Sequence, residues 1–118
     1  MNIMVIDDSA DSRFLMGHDL ESAGHVVTEA CDRDDAIHKI EHGSSPNLVF
    51  MDLCMPGMSI ENFVERSREV AGRDIPMVIT SGSPDAETVA DRLEAYYLPP
   101  LFSREDIQKT AQIFEVAQ

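Results

Sequence analysis

Three short, unbroken apolar runs constrain this chain more than any other feature: Ile3-Met4-Val5-Ile6, Leu48-Val49-Phe50-Met51 and Met77-Val78-Ile79. A strand with one face in water alternates apolar and polar residues. A run with no polar member needs cover on both faces, which a parallel sheet held between two helical layers provides. Residues 25–30 form a weaker strand candidate and residues 96–98 a short one. Helix-sized segments lie between them. Residues 11–23 stop at Gly24, residues 34–42 carry Ala36, Ile37 and Ile40 on one side and stop at Gly43, and residues 60–71 align Ile60, Phe63, Val64 and Val70 before Gly72. Glycine after a helix is a natural stop because it takes the left-handed conformation without penalty. Residues 85–95 show Val89, Ala90 and Leu93, and the last helix carries Ile107, Thr110, Ala111 and Phe114 at i, i+3, i+4, i+7. Ser103 with Asp106 three residues on has the form of a capping box at its start. Strand and helix thus alternate about five times. The expected fold is α/β, a (βα)5 doubly wound parallel five-stranded sheet joined by right-handed crossovers, filling residues 1–118 as one domain.

Charge narrows the partners. The chain of 118 residues has 22 acids against 9 bases and a formal charge of −13, while 43% of it is hydrophobic, enough for a real core. Such a surface repels nucleic acid and anionic membrane and favours cations and basic protein faces. Cys31 and Cys54 have neither metal-ligand nor disulfide spacing, which fits a reducing compartment. No apolar run approaches a membrane span, and the N-terminal residues enter a strand pattern directly, so the expectation is a soluble cytoplasmic protein.

In parallel α/β sheets, ligands bind beyond the carboxyl ends of the strands. Asp7 and Asp8 follow the first strand, Asp52 ends the third, and Thr80, Ser81 and Gly82 close the fourth. Taken alone, Asp7-Asp8-Ser9 also reads as a helix N-cap and Asp52 as a turn residue. Together they bring three carboxylates to one sheet edge. Two unit charges about 4 Å apart repel by roughly 4 kcal/mol at an effective dielectric of 20, so raised pKa values or a bound cation must offset the cluster. Hard oxygen ligands with open positions favour Mg2+, with Mn2+ the alternative. A carboxylate beside such an ion and opposite a hydroxyl is a credible nucleophile for phosphoryl transfer.

With these residues in place, the chain resembles the response regulator receiver (CheY-like) family along essentially its whole length. Ile3 to Asp8 resembles the family's first strand and acidic pair. Residues 48–58 are similar to its phospho-acceptor segment, and residues 75–82 to its fourth strand with a switch hydroxyl. The resemblance implies Asp52 as phospho-acceptor and Asp8 as direct metal ligand. It implies Asp7 as a ligand through water and the Cys54 backbone carbonyl as a further ligand. It also implies Ser81 as the switch hydroxyl and Tyr97 as the aromatic switch. The expected donor is a histidine kinase or phosphotransfer protein, the expected output contact a downstream protein target, and the domain is no enzyme beyond its own phosphoryl transfer and hydrolysis.

Two departures stand out. The family carries a lysine, followed by proline, at the end of the fifth strand; here that stretch reads Tyr97-Leu98-Pro99-Pro100, and the chain's two lysines, Lys39 and Lys109, lie in other helices. Arg92 and Arg104 are the candidates to reach the vacated place. Ser59-Ile60 replaces an acid or asparagine followed by glycine, and Ile60 resists positive φ, so the loop after Asp52 is expected to run differently. The missing lysine supports an alternative, a degenerate receiver acting as a phosphorylation-independent interaction module. Enzymes of similar topology fit less well: a flavin domain wants a phosphate cradle where Asp7-Asp8 stand, and an aspartate-nucleophile phosphatase wants an acid where Cys54 stands. His38 and His42, four apart on a helix, read as a solvated face rather than a metal site, and the seven methionines as packing.

Overall fold

A computed structural model describes residues 1–116. Five parallel strands, β1 (Asn2–Ile6), β2 (Val26–Ala30), β3 (Leu48–Asp52), β4 (Met77–Thr80) and β5 (Tyr96–Leu98), form one sheet in the order β2-β1-β3-β4-β5. The helices α1 (Ala10–Ser22), α2 (Arg33–Glu41), α3 (Ile60–Ala71), α4 (Ala86–Arg92) and α5 (Arg104–Val116) alternate with them. The (βα)5 doubly wound expectation is met.

The unbroken apolar runs have the physical cause their pattern predicted. On β1, Ile3 and Val5 join a core with Met16, Leu20, Ile107 and Ala111 of α1 and α5. Met4 and Ile6 enter the opposite core with Ala36, Ile37, Ile40, Phe63 and Val89 of α2, α3 and α4. β3 and β4 divide the same way, Phe50 and Val78 to one core, Val49, Met51, Met77 and Ile79 to the other. β2 is an edge strand with only Ala30 buried, which is why its sequence signal is weak.

Local chemistry sets the helix ends. Ser9 accepts a hydrogen bond from the Ser12 amide at the start of α1, and Asp32 and Ser59 do the same from Asp35 and Asn62 for α2 and α3. The α5 capping box is reciprocal: the Ser103 amide donates to Asp106 Oδ2 at 2.8 Å and the Asp106 amide to Ser103 Oγ at 3.1 Å. The helix expected over 85–95 is shorter, ending at Arg92, because the Ala95 amide bonds to Ala90 O at 2.8 Å and Glu94 to Asp91 O at 3.1 Å, with Glu94 at φ 57. That is a Schellman stop made without glycine.

Candidate phosphoryl and metal site

The strand order reverses at β1, whose successor β2 lies on one side and β3 on the other, so a crevice opens at the carboxyl ends of β1 and β3. Register places the acids there. Ile6 pairs with Met51 and Asp52 with Thr80, so Asp7, Asp52 and Thr80 stand level across three adjacent strands. One carboxylate oxygen each from Asp7, Asp8 and Asp52 falls within 4.8 Å of the others, with Asp7 and Asp52 half-buried and Asp8 exposed. This is the one acid, histidine or cysteine cluster with such spacing among the described residues. His38 and His42 instead lie with ring centroids 4.2 Å apart, tilted by 37°, both exposed.

The backbone around Asp7 and Asp52 is held. The Asp7 amide donates to Ala30 O at 3.2 Å, and Arg13 Nη1 donates to Asp7 O at 2.7 Å while its Nε pairs with Glu29. Asp7 Oδ1 accepts from the Ser9 amide at 2.9 Å, and Asp52 Oδ1 from the Cys54 amide at 3.1 Å. Asp7 therefore braces the Ser9 cap as well as joining the cluster, so the two sequence readings of this segment are compatible. Burial pushes the Asp7 carboxyl above its ordinary range, with the like charges of Asp52 and Asp8 adding to the shift against the Ser9 amide and Arg13. Burial also raises Asp52, and Asp8 adds to it, against the Cys54 amide and the Arg33 charge. Burial, with the like charges adding to it, thus makes these two carboxylates costly to keep ionised. Three hard oxygen donors converging within 4.8 Å fit a small divalent cation.

Opposite the acids, Ser81 Oγ lies 3.5 Å from Cys54 Sγ and accepts from the Ser83 amide at 3.1 Å. Tyr97 is half-buried and its hydroxyl donates to Ser81 O at 3.3 Å, so residues 81 and 97 are linked through the backbone. Asp7, Asp52, Thr80, Ser81 and Gly82 line an open cleft of about 410 Å³ whose far wall is Pro100, Leu101, Phe102 and Arg104.

Both arginines considered for the lysine place are engaged elsewhere. Arg92 pairs with Glu61, and Arg104, on the cleft wall, donates to Asp19 Oδ1 at 2.9 Å and Ser22 Oγ at 3.1 Å. Two prolines follow β5 directly. The cation that sequence reasoning missed is Arg33, the first residue of α2, only 3% exposed and donating to loop carbonyls under Asp52. Among Asp32, Asp34 and Asp35 it reads as part of a solvated helix start, and no local signal marks it. The loop departure resolves simply: Gly57 takes positive φ at 95°, and Ile60, 5% exposed, begins α3 behind the Ser59 cap.

The sequence profile of the response regulator receiver domain matches residues 3–110. Among curated proteins, the phosphate regulon transcriptional regulatory protein PhoB of Escherichia coli is 32% identical over 93 residues, 78% of this chain and 40% of that protein. A protein-glutamate methylesterase/protein-glutamine glutaminase of Geobacter metallireducens is 33% identical over 97 residues, 80% of this chain and 27% of that protein. The chain thus spans well under half the length of these relatives. Chemotaxis protein CheY4 of Vibrio cholerae superposes with a TM-score of 0.80 at 25% identity, covering 96% of this chain and 97% of that one. A receiver domain protein from Clostridium thermocellum shares the fold at TM-score 0.84 and 20% identity, covering 98% and 94%.

Proposed function

The chain belongs to the response regulator receiver family of two-component signalling, and from that premise we propose that Asp52 is its phospho-acceptor, served by a divalent cation held between Asp7, Asp8 and Asp52. The observation carrying the reading is the convergence of three carboxylates from two strand ends, within 4.8 Å, at the topological switch point. Asp8 and Asp52 would hold the ion directly, Asp7 through water, and the Cys54 backbone carbonyl would complete the protein's share. When bound, Mg2+, with Mn2+ as the substitute, neutralises the acids and the phosphoryl oxygens.

In the transfer, an Asp52 carboxylate oxygen forms the P–O bond as the P–N bond of a phosphohistidine breaks, and the imidazole leaves with the bonding pair. The donor is a histidine kinase or phosphotransfer protein. Ser81 donates its hydroxyl hydrogen to a phosphoryl oxygen, exchanging its contact with Cys54, and Tyr97 reports the change through Ser81 O. Water later attacks phosphorus and frees Asp52, so the turnover is confined to the domain's own modification. Residues 1–118 act as one receiver domain, in the cytoplasm, and the signal passes to a downstream protein by contact. A charge of −13 suits a basic protein face and opposes direct nucleic-acid or membrane binding. Among the described residues no helix is long and apolar enough to cross a membrane.

Acetyl phosphate with Mg2+ is expected to add one phosphoryl mass to the wild type and none to Asp52→Ala, read by intact-protein mass spectrometry. Equal labelling of both would remove Asp52 as acceptor. The second reading, a degenerate receiver working by contact alone, has one observation behind it: Pro99 and Pro100 directly after β5. Beryllofluoride with Mg2+ separates the two. Resonance changes reaching Ser81 and Tyr97 are expected for a switch, and changes confined to the acids for a degenerate module.

A further inference from the structure

Arg33 is the charged group the reading above leaves unused. It opens α2 yet is 3% exposed, and a guanidinium at such depth costs several kcal/mol unless its N–H groups are matched. Its four acceptors are Asp52 O at 3.2 Å, Leu53 O at 2.8 Å, Met58 O at 2.9 Å and, more weakly, Met51 Sδ at 3.4 Å. None of the four is a carboxylate. Three are carbonyls at the two ends of a single loop, the one that runs from the acceptor through Cys54 to α3. The same helical turn touches the loop a second time, since a Cβ on Gly57 would meet Asp34 Oδ2 at 3.3 Å.

Resting on the acceptor assignment, we propose that Arg33 is a positioning residue for phosphoryl transfer: its buried guanidinium ties both ends of the 53–58 loop to α2 and fixes the Asp52 and Cys54 backbone from below. A planar fork suits this task, because it meets several acceptors at once in fixed directions. The charge it brings is permanent and lies on the far side of the acceptor from the two prolines after β5. A lysine after the fifth strand would contact a phosphoryl group itself; Arg33 acts through the loop instead and leaves the cleft open. Supporting groups of this kind, one layer behind metal ligands, typically change metal affinity or activity by 10- to 100-fold when removed.

The test uses the full chain with Arg33→Gln, which keeps N–H donors and loses charge and fork, and Arg33→Lys, which keeps charge alone. Labelling by acetyl phosphate is followed against donor and Mg2+ concentration, beside thermal melting and 15N relaxation. Arg33→Gln is expected to lower the maximal labelling rate about tenfold and raise the Mg2+ half-saturation about tenfold. The donor half-saturation stays unchanged, and Arg33→Lys recovers part of the rate. A folded Arg33→Gln with wild-type maximal rate and Mg2+ half-saturation, and only a lower melting point, overturns the proposal. If neither variant folds, the wild type decides. A 53–58 backbone as rigid as α2 with slowly exchanging guanidinium protons supports it, and nanosecond loop motion overturns it. Should the wild type resist labelling at Asp52, the acceptor assignment falls alone, because loop relaxation and guanidinium exchange still decide whether Arg33 fixes the 53–58 backbone.

Discussion

The two halves of the site are built to different standards. On the β1–β3 side the strands are buried along their length, four of five residues in β1 and in β3. The acids hang from a backbone fixed by Arg13, Ala30, Cys54 and Arg33. On the β4–β5 side β4 is itself fully buried, but β5 has three residues with one buried, α4 has seven residues and no capping hydrogen bond from the Asp85 side chain, and two non-glycine residues, Glu94 and Leu101, take positive φ. The proposed chemistry thus sits on the rigid half, and the elements that would relay it lie on the looser half. Such a division suits a switch, because elements that move are drawn from the low-stability end of a structure.

Core truncation tests that comparison most severely. Phe50 on β3 is fully buried between Val5 and Val78, so Phe50→Ala is expected to cost about 3–5 kcal/mol in urea unfolding. Tyr96 on β5 is 39% exposed with its ring edge-on to Phe114, and Tyr96→Ala is expected to cost about 1 kcal/mol. Equal costs would erase the asymmetry.

The acids give the next largest effect. With no divalent ion, the three carboxylates within 4.8 Å repel, and Asp52→Asn, which keeps an oxygen for the Cys54 amide, removes one charge. The variant should be more stable than wild type in EDTA by about 1–3 kcal/mol, the Coulomb range between water-like and protein-surface dielectric. Mg2+ should reverse the order by stabilising the wild type more. A less stable variant in EDTA would mean that the acids do not repel and that the rigid half is not held under charge strain.

The pH dependence sharpens the same point. Asp52 and Asp7 both sit above the ordinary carboxylate value of 3.8, chiefly through burial. A folded state that holds protons more tightly than the unfolded chain gains stability from them below that value and loses it as pH rises through the raised folded value. The advantage of Asp52→Asn over wild type in EDTA should therefore be smallest near pH 4 and grow towards neutrality. Taking the difference cancels Asp106, whose carboxyl is lowered by its Ser103 hydrogen bonds, and Asp35, lowered against burial by the Cys31 amide and Lys39. A flat difference across this range would detach Asp52 from the cluster.

What the sequence revealed cuts across that division. β1, β3 and β4 were legible because cover on both faces leaves no polar residue in the run, and the acids because parallel strands must deliver their ends to one edge. Asp7, Asp8, Asp52 and Ser81 could be located from there, whereas Tyr97 came only from the resemblance to the receiver family. β2 was faint because an edge strand mixes exposures. Arg33 was invisible because its burial comes from a loop some twenty residues later in the chain folding over it, and no local pattern encodes that. The end of α4 was misjudged because its stop carries glutamate where glycine is the usual signal.

That glutamate supplies the smallest test. Glu94 is exposed, holds φ 57 and makes the Schellman stop of α4. A left-handed conformation costs a non-glycine residue roughly 1–2 kcal/mol, and a negative side chain at a helix C-terminus opposes the dipole. Glycine removes both penalties but enlarges the unfolded ensemble, which offsets part of the gain. Glu94→Gly should then stabilise the protein by about 0.5–1 kcal/mol, with hydrogen-exchange protection rising in α4 and β5 and staying level in β1 and β3. If protection rose equally everywhere, the two halves would open as one cooperative unit. The looseness on the β4–β5 side would then be a matter of shape without a separate stability.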